Sequence, residues 1–134
     1  MISNKQIFLP VTGVSCNSRC IMCSVNSYTK YSKRVNKIPD GSTDQIIKDL
    51  IRGRKEGYER TEFTGGEPTI RKDIILLIQK AKQLGYKDIG INTNGILLSD
   101  SKFCLDLITA GLTNITFSLH ISYIPNPISQ IPNP

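Results

Sequence analysis

The sequence predicts an α/β protein assembled from about four parallel strand–helix units. Three observations carry that reading. A β-rich stretch followed by a helix-patterned stretch occurs three times, and a fourth β-rich stretch, NITFSLH, closes the series at residues 114–120. Each helical stretch stops at a glycine: Gly57, Gly85 and Gly111. The stretches are also of similar length, as expected for parallel strands joined by right-handed helical crossovers. With 134 residues and 39% hydrophobic content, the chain has material for one modest core.

The elements follow in order. Residues 6–14, QIFLPVTGV, read as a first strand that leads into a cysteine-rich loop. Residues 42–45 form a Ser-x-x-Gln start signal. Ile46, Ile47, Leu50 and Ile51 then recur at helical spacing up to Gly57. YERTEFT, residues 58–64, is the second strand, GGEP the turn after it, and residues 70–84 a helix ended by Gly85. DIGINT is the third strand, Asn94 and Gly95 the turn, and residues 102–110 a helix ended by Gly111. In the fourth strand Ile115, Phe117 and Leu119 alternate with Thr116, Ser118 and His120, which predicts an apolar face against the helices and a polar face opposite. After His120 the segment at 121–134 has no charge, repeats IPNP, and carries prolines that suit neither helix nor central strand. The organisation expected is a core over residues 1–120 and a proline-rich tail over 121–134.

Composition narrows the setting. No stretch is apolar for long enough to span a bilayer, and the first residues lack the basic-then-apolar run of a secretory signal, so a cytoplasmic protein with no membrane association is expected. In a reducing compartment, clustered cysteines point to metal or redox chemistry rather than to a disulfide frame. The formal charge of +6 suits an acidic partner. Its densest source is Lys30, Lys33, Arg34 and Lys37 beside Tyr28 and Tyr31. A solvated basic loop is the ordinary reading of such a run, and a nucleic-acid partner is not supported.

CNSRCIMC, residues 16–23, concentrates three of the four cysteines. Cys16, Cys20 and Cys23 are close enough in sequence to hold three corners of one inorganic group. A structural zinc site fills four positions with protein ligands, and no fourth ligand lies nearby. An iron–sulfur cubane held by three cysteines keeps one iron open. Two alternatives stand beside it: Cys104 or His120 completing a zinc site, and an inactive fragment. Cys104 shares a helical face with Leu107 and Ile108, which is the pattern of a buried apolar thiol. His120, the single histidine, reads equally as a surface residue at a strand end.

These residues carry a resemblance. CNSRCIMC has the CxxxCxxC pattern of the radical S-adenosylmethionine (radical SAM) superfamily, and GGEP at residues 65–68 is similar to the motif those proteins carry after their second strand. The match spans about residues 6–120 and is nearest the molybdenum-cofactor-biosynthesis and SPASM-like branch. It implies a partial parallel (β/α) barrel, a [4Fe-4S] cluster on Cys16, Cys20 and Cys23, and S-adenosylmethionine on the open iron. The activity it implies is generation of a 5′-deoxyadenosyl radical that abstracts hydrogen from an unidentified substrate. A flavodoxin-type or ferredoxin-type protein would supply the electron. Carried over residue by residue, Gly65 and Gly66 approach the methionine end of the cofactor, Glu67 anchors the turn, and Ser118 contacts the cofactor. Met22 takes the place of the usual aromatic beside adenine, while Thr93, and on the polar face His120, face the substrate. The family barrel has six strands and four are read here. The resemblance therefore implies an amino-terminal, truncated part of the core domain, with a sheet edge prone to self-association.

Overall fold

A computed structural model describes residues 6–18, 20, 23 and 40–119. Strands β1 (Ile7–Phe8), β2 (Arg60–Phe63), β3 (Asp88–Thr93) and β4 (Asn114–Phe117) form one sheet in the order 1-2-3-4, with every pairing parallel. Helices α1 (Thr43–Lys55), α2 (Ile74–Gln83) and α3 (Ser101–Ala110) fill the crossovers. Spatial order equals sequence order, so each unit adds one strand beside the last, as in the wall of a (β/α) barrel.

The start signals act as the sequence implies. The Ser42 hydroxyl accepts from the Gln45 amide and caps α1, and the Asp100 carboxylate accepts from the Lys102 and Phe103 amides and caps α3. On α2, Ile74, Leu77, Ile78 and Ala81 are all buried, a stripe at intervals of three and four residues. They join Ile46 and Leu50 of α1, Leu107 of α3, and Phe63, Ile89 and Ile91 of the sheet in one core. Gly53 lies inside α1 because space is lacking: a Cβ there would stand 2.5 Å from the Tyr86 hydroxyl and 2.8 Å from the Phe8 ring. That hydroxyl donates to the Leu50 carbonyl at 2.8 Å, and burial pushes its pKa up to about 12.

Three expectations need correction. The first strand is two residues long rather than nine, since Pro10 has no N–H to give and pairing resumes only at the Val11–Thr64 bridge. The second helix begins at Ile74, not Ile70. A 3-10 turn at Pro68–Ile70 precedes it, capped by the Glu67 side chain, and Arg71 is extended. A second 3-10 turn, Ile96–Ser99, stands where only a turn was expected.

In β4 the two faces divide as the alternation implies, but the apolar one is not covered. Register pairs Ile115 with Ile91 and Phe117 with Thr93, on the helix side, and Thr116 with Asn92 on the other. Ile115 and Phe117 remain 39% and 55% exposed, because among the described residues no helix follows β4. The basic run at 30–37 and the tail at 121–134 lie outside the described residues.

Candidate functional site

All four strands point their carboxyl ends to one edge, and the sequence motifs collect there. The cysteine loop leaves β1, GGEP leaves β2, Asn94 and Gly95 leave β3, and Ser118 leaves β4. A parallel sheet offers ligands this edge because the loops and unpaired strand ends converge on it.

The backbone ahead of Cys16 is fastened to GGEP. The Gly66 amide donates to the Gly13 carbonyl and the Glu67 amide to the Ser15 carbonyl, both at 2.8 Å, while the Thr12 amide donates to the Thr64 carbonyl at 2.7 Å. The contact is too close for side chains. A Cβ on Gly66 would stand 2.1 Å from the Ser15 carbonyl oxygen, and one on Gly65, whose φ is +142°, would stand 2.7 Å from the Gly13 carbonyl oxygen. The glycine pair thus admits the cysteine loop itself, a use that the resemblance to ligand-facing glycines does not convey.

Glu67 is the buried hub of this edge, 3% exposed. One carboxylate oxygen accepts from the Thr69 amide at 3.1 Å, the Thr69 hydroxyl at 2.5 Å and the Thr93 hydroxyl at 2.6 Å; the other accepts from the Asn94 amide at 2.8 Å. An ionised carboxylate has no donor of its own, so four donors satisfy it and pin β2 to the end of β3. Thr93 is 1% exposed and lies on the helix side, with its hydroxyl donating to Glu67 and accepting from the Gly95 amide at 3.1 Å, so it props the hub. Its neighbour Asn92 lies on the polar face, where its side-chain Oδ1 accepts from the Ser118 hydroxyl at 2.5 Å. The Thr116 hydroxyl donates to Glu62 at 3.3 Å on the same face. Ser118 is therefore placed at the carboxyl edge and on the polar side. Met22 and His120 lie outside the described residues.

Cys16 is exposed, and Cys20 and Cys23 are half-buried. The Cys23 amide donates to the Cys20 carbonyl at 3.2 Å, the Ser18 amide to the Cys16 sulfur at 3.4 Å, and Ser18 Oγ and the Cys20 sulfur lie 3.2 Å apart. Asn94 reaches across from β3, its side-chain amide donating to Asn17 Oδ1 at 2.8 Å and lying 3.9 Å from the Cys16 sulfur. Among the described residues no three His, Cys, Asp or Glu side chains converge as a metal-binding group. In kind the donors fit an iron–sulfur group, since three thiols from one loop at a ligand-binding edge are the soft ligands such iron takes. Cys104 is on α3, with its thiol donating to the Leu98 carbonyl of the preceding 3-10 turn at 3.2 Å.

Asp40, Arg71, Asn92 and Asn94 were not legible as site residues. Arg71 donates to the Thr12 and Gly41 carbonyls at 2.7 and 2.8 Å and grips Asp73 with two nitrogens at 2.8 and 2.7 Å. Only the polar NTN run at a strand end gave any sign, for Asn92 and Asn94. No described helix is long and apolar enough to cross a membrane.

Comparison with known proteins agrees with this arrangement. The profile of the Radical SAM superfamily matches residues 11–123. A protein of Saccharolobus solfataricus named "Probable GTP 3',8-cyclase" is 36% identical over 106 residues, covering 79% of this chain and 32% of that protein. The "GTP 3',8-cyclase" of Thermodesulfovibrio yellowstonii is 37% identical over 108 residues, covering 78% and 31%. The chain spans about a third of the length of these curated relatives. With the cysteine loop, GGEP and the four-stranded parallel wall in family order, the chain belongs to the radical SAM superfamily.

Proposed function

We propose that the chain is the cluster-bearing part of a radical SAM enzyme, with Cys16, Cys20 and Cys23 holding a [4Fe-4S] cluster whose open iron takes S-adenosylmethionine. The observation that carries this reading is the attachment of the cysteine loop to GGEP at the carboxyl edge of the sheet, through Gly66, Glu67 and the carbonyls of Gly13 and Ser15. When bound, the cluster and cofactor supply one-electron cleavage of the sulfonium and hence a 5′-deoxyadenosyl radical for hydrogen abstraction. The chain's own residues hold the three thiols at that edge, offer Ser118 and Asn92 on the polar face to the cofactor, and keep the GGEP turn rigid through Glu67. The names of the relatives suggest GTP as the substrate of the whole protein and an internal cyclisation as its reaction. A flavodoxin-type or ferredoxin-type donor suits the overall positive charge, since such carriers are acidic.

Anaerobic reconstitution with iron and sulfide, followed by absorption spectra and metal analysis, tests the reading. Alanine at Cys16, Cys20 or Cys23 is expected to abolish the cluster, and Cys104→Ala to leave it intact. A folded Cys104→Ala protein that loses its iron, or a wild-type chain that takes up zinc but no iron and sulfide, overturns it.

A further inference from the structure

We propose that Asp40 is a positioning residue that presets Cys16 for its iron, a role that rests on the cluster reading above. Asp40 precedes α1 and is 24 positions from Cys16 in sequence, so only the fold brings the two segments together. One carboxylate oxygen accepts from two consecutive amides, Val14 at 2.8 Å and Ser15 at 3.0 Å, and these are the last two amides before Cys16. The oxygen sits where a side chain at position 13 would be, 2.1 Å from an ideal Cβ, and Gly13 with φ +146° leaves it room. Two adjacent N–H groups converging on one anion form a charge-assisted clamp. Burial pushes the Asp40 carboxyl up, but the hydrogen bonds from Ser15 and Val14 and the Arg71 charge outweigh it and hold the group below the usual aspartate range.

The segment at residues 12–15 is gripped from two further sides. GGEP amides take the carbonyls of Gly13 and Ser15, and the Arg71 guanidinium takes the carbonyl of Thr12 together with that of Gly41, the residue after Asp40. Arg71 therefore fastens the segment that carries the clamp to the segment being clamped. Residues 12–15 are held by Asp40, Arg71 and GGEP, and Cys16 is the first residue beyond. Cys20 and Cys23 stand four and seven positions further along, joined to each other by their own turn. A ligand whose backbone is already ordered loses less conformational entropy when the metal binds, so the clamp readies Cys16 before the iron arrives.

The test uses the full chain as wild type, Asp40→Ala, Asp40→Asn, and Asp100→Ala as a capping control of comparable cost elsewhere. Hydrogen exchange of the iron-free chain is expected to quicken about tenfold over residues 12–18 in Asp40→Ala, the equivalent of about 1.4 kcal/mol of lost hydrogen bonding, with β2 and β3 unchanged. After anaerobic reconstitution, iron loss to a chelator is expected to be about tenfold faster in the same variant. Asp40→Asn, which keeps one acceptor oxygen but loses the charge, is expected to fall between wild type and Asp40→Ala, about threefold faster than wild type in both measurements, and it carries the test if Asp40→Ala does not fold. Asp100→Ala is expected to match wild type in both. Unchanged exchange over residues 12–18 overturns the clamp. Faster exchange with wild-type iron retention overturns the positioning role and leaves Asp40 a fold residue. A wild-type chain that accepts no iron and sulfide overturns the cluster reading and the ligand role together, while the exchange data still decide the clamp.

Discussion

At the scale of single residues, the carboxyl edge is governed by packing and by one buried carboxylate. Glu67→Ala removes the acceptor of four donors in a site closed to water, so the Thr69 and Asn94 amides lose their partner. Hydrogen bonds to charged groups are worth about 1.5–3 kcal/mol each, and a loss of roughly 3 kcal/mol or more in urea unfolding is expected, with Glu67→Gln intermediate. Gly66→Ala has a different cause. Its methyl would meet the Ser15 carbonyl, and separating the two backbones is expected to cost about 1–3 kcal/mol and to loosen the cysteine loop. On the proposed reading, weaker cofactor binding in a Gly66 variant is expected from the displaced loop as well as from any contact with the ligand. A stability curve identical to wild type for Gly66→Ala would refute this close approach.

At the scale of elements, helix starts and charge pairs set the response to mutation and to acid. Asp100→Ala removes the cap of α3 and is expected to cost about 1 kcal/mol, read as a shift in the urea midpoint at unchanged slope. Asp73 begins α2 without capping it, because its carboxylate is taken by Arg71 and by the Thr43 hydroxyl at 2.5 Å. Burial pushes the Asp73 carboxyl up, yet the Arg71 and Thr43 hydrogen bonds and the Arg71 charge bring it below the ordinary range. A folded-state pKa that is depressed stabilises the fold above the unfolded value and ceases to do so as pH falls through the folded one. Stability is thus expected to decline from about pH 4 downward, and Asp73→Asn to flatten that decline. Urea midpoints for the two proteins between pH 6 and pH 3 would decide it, and equal slopes would remove Asp73 from the account.

At the scale of the whole molecule, β4 leaves an open edge among the described residues, with Ile115 and Phe117 exposed on the helix side and Leu119 81% exposed just beyond. An unpaired strand with an uncovered apolar face associates readily. The chain alone is expected to self-associate at micromolar concentration, and Phe117→Lys to shift it toward monomer in sedimentation velocity. Cofactor turnover by this chain alone is expected to be slow and uncoupled, since radical chemistry needs walls that exclude water. A stable wild-type monomer that releases 5′-deoxyadenosine over many substrate-coupled turnovers would contradict both expectations.

The sequence by itself determined the α/β class, the order of the units, the cysteine loop and GGEP. Each of these is written in local patterns: apolar spacing, the Ser42 cap, the glycines that end helices, and the spacing of thiols along eight residues. DIGINT was legible to the residue as β3, because a β-rich run bounded by turn residues has little choice. The length of β1 was not, since Pro10 interrupts a ladder whose partner strand lies 53 positions away. The roles of Asp40, Arg71 and Thr93 were decided only in three dimensions. Asp40 looks like a loop residue until the crossover sets it over Val14 and Ser15, and the hydrogen bond from Thr93 to Glu67 joins the end of β3 to the GGEP turn, 26 positions apart. Which face a side chain meets, and which backbone lies across from it, depends on register between distant segments, and no local pattern encodes that.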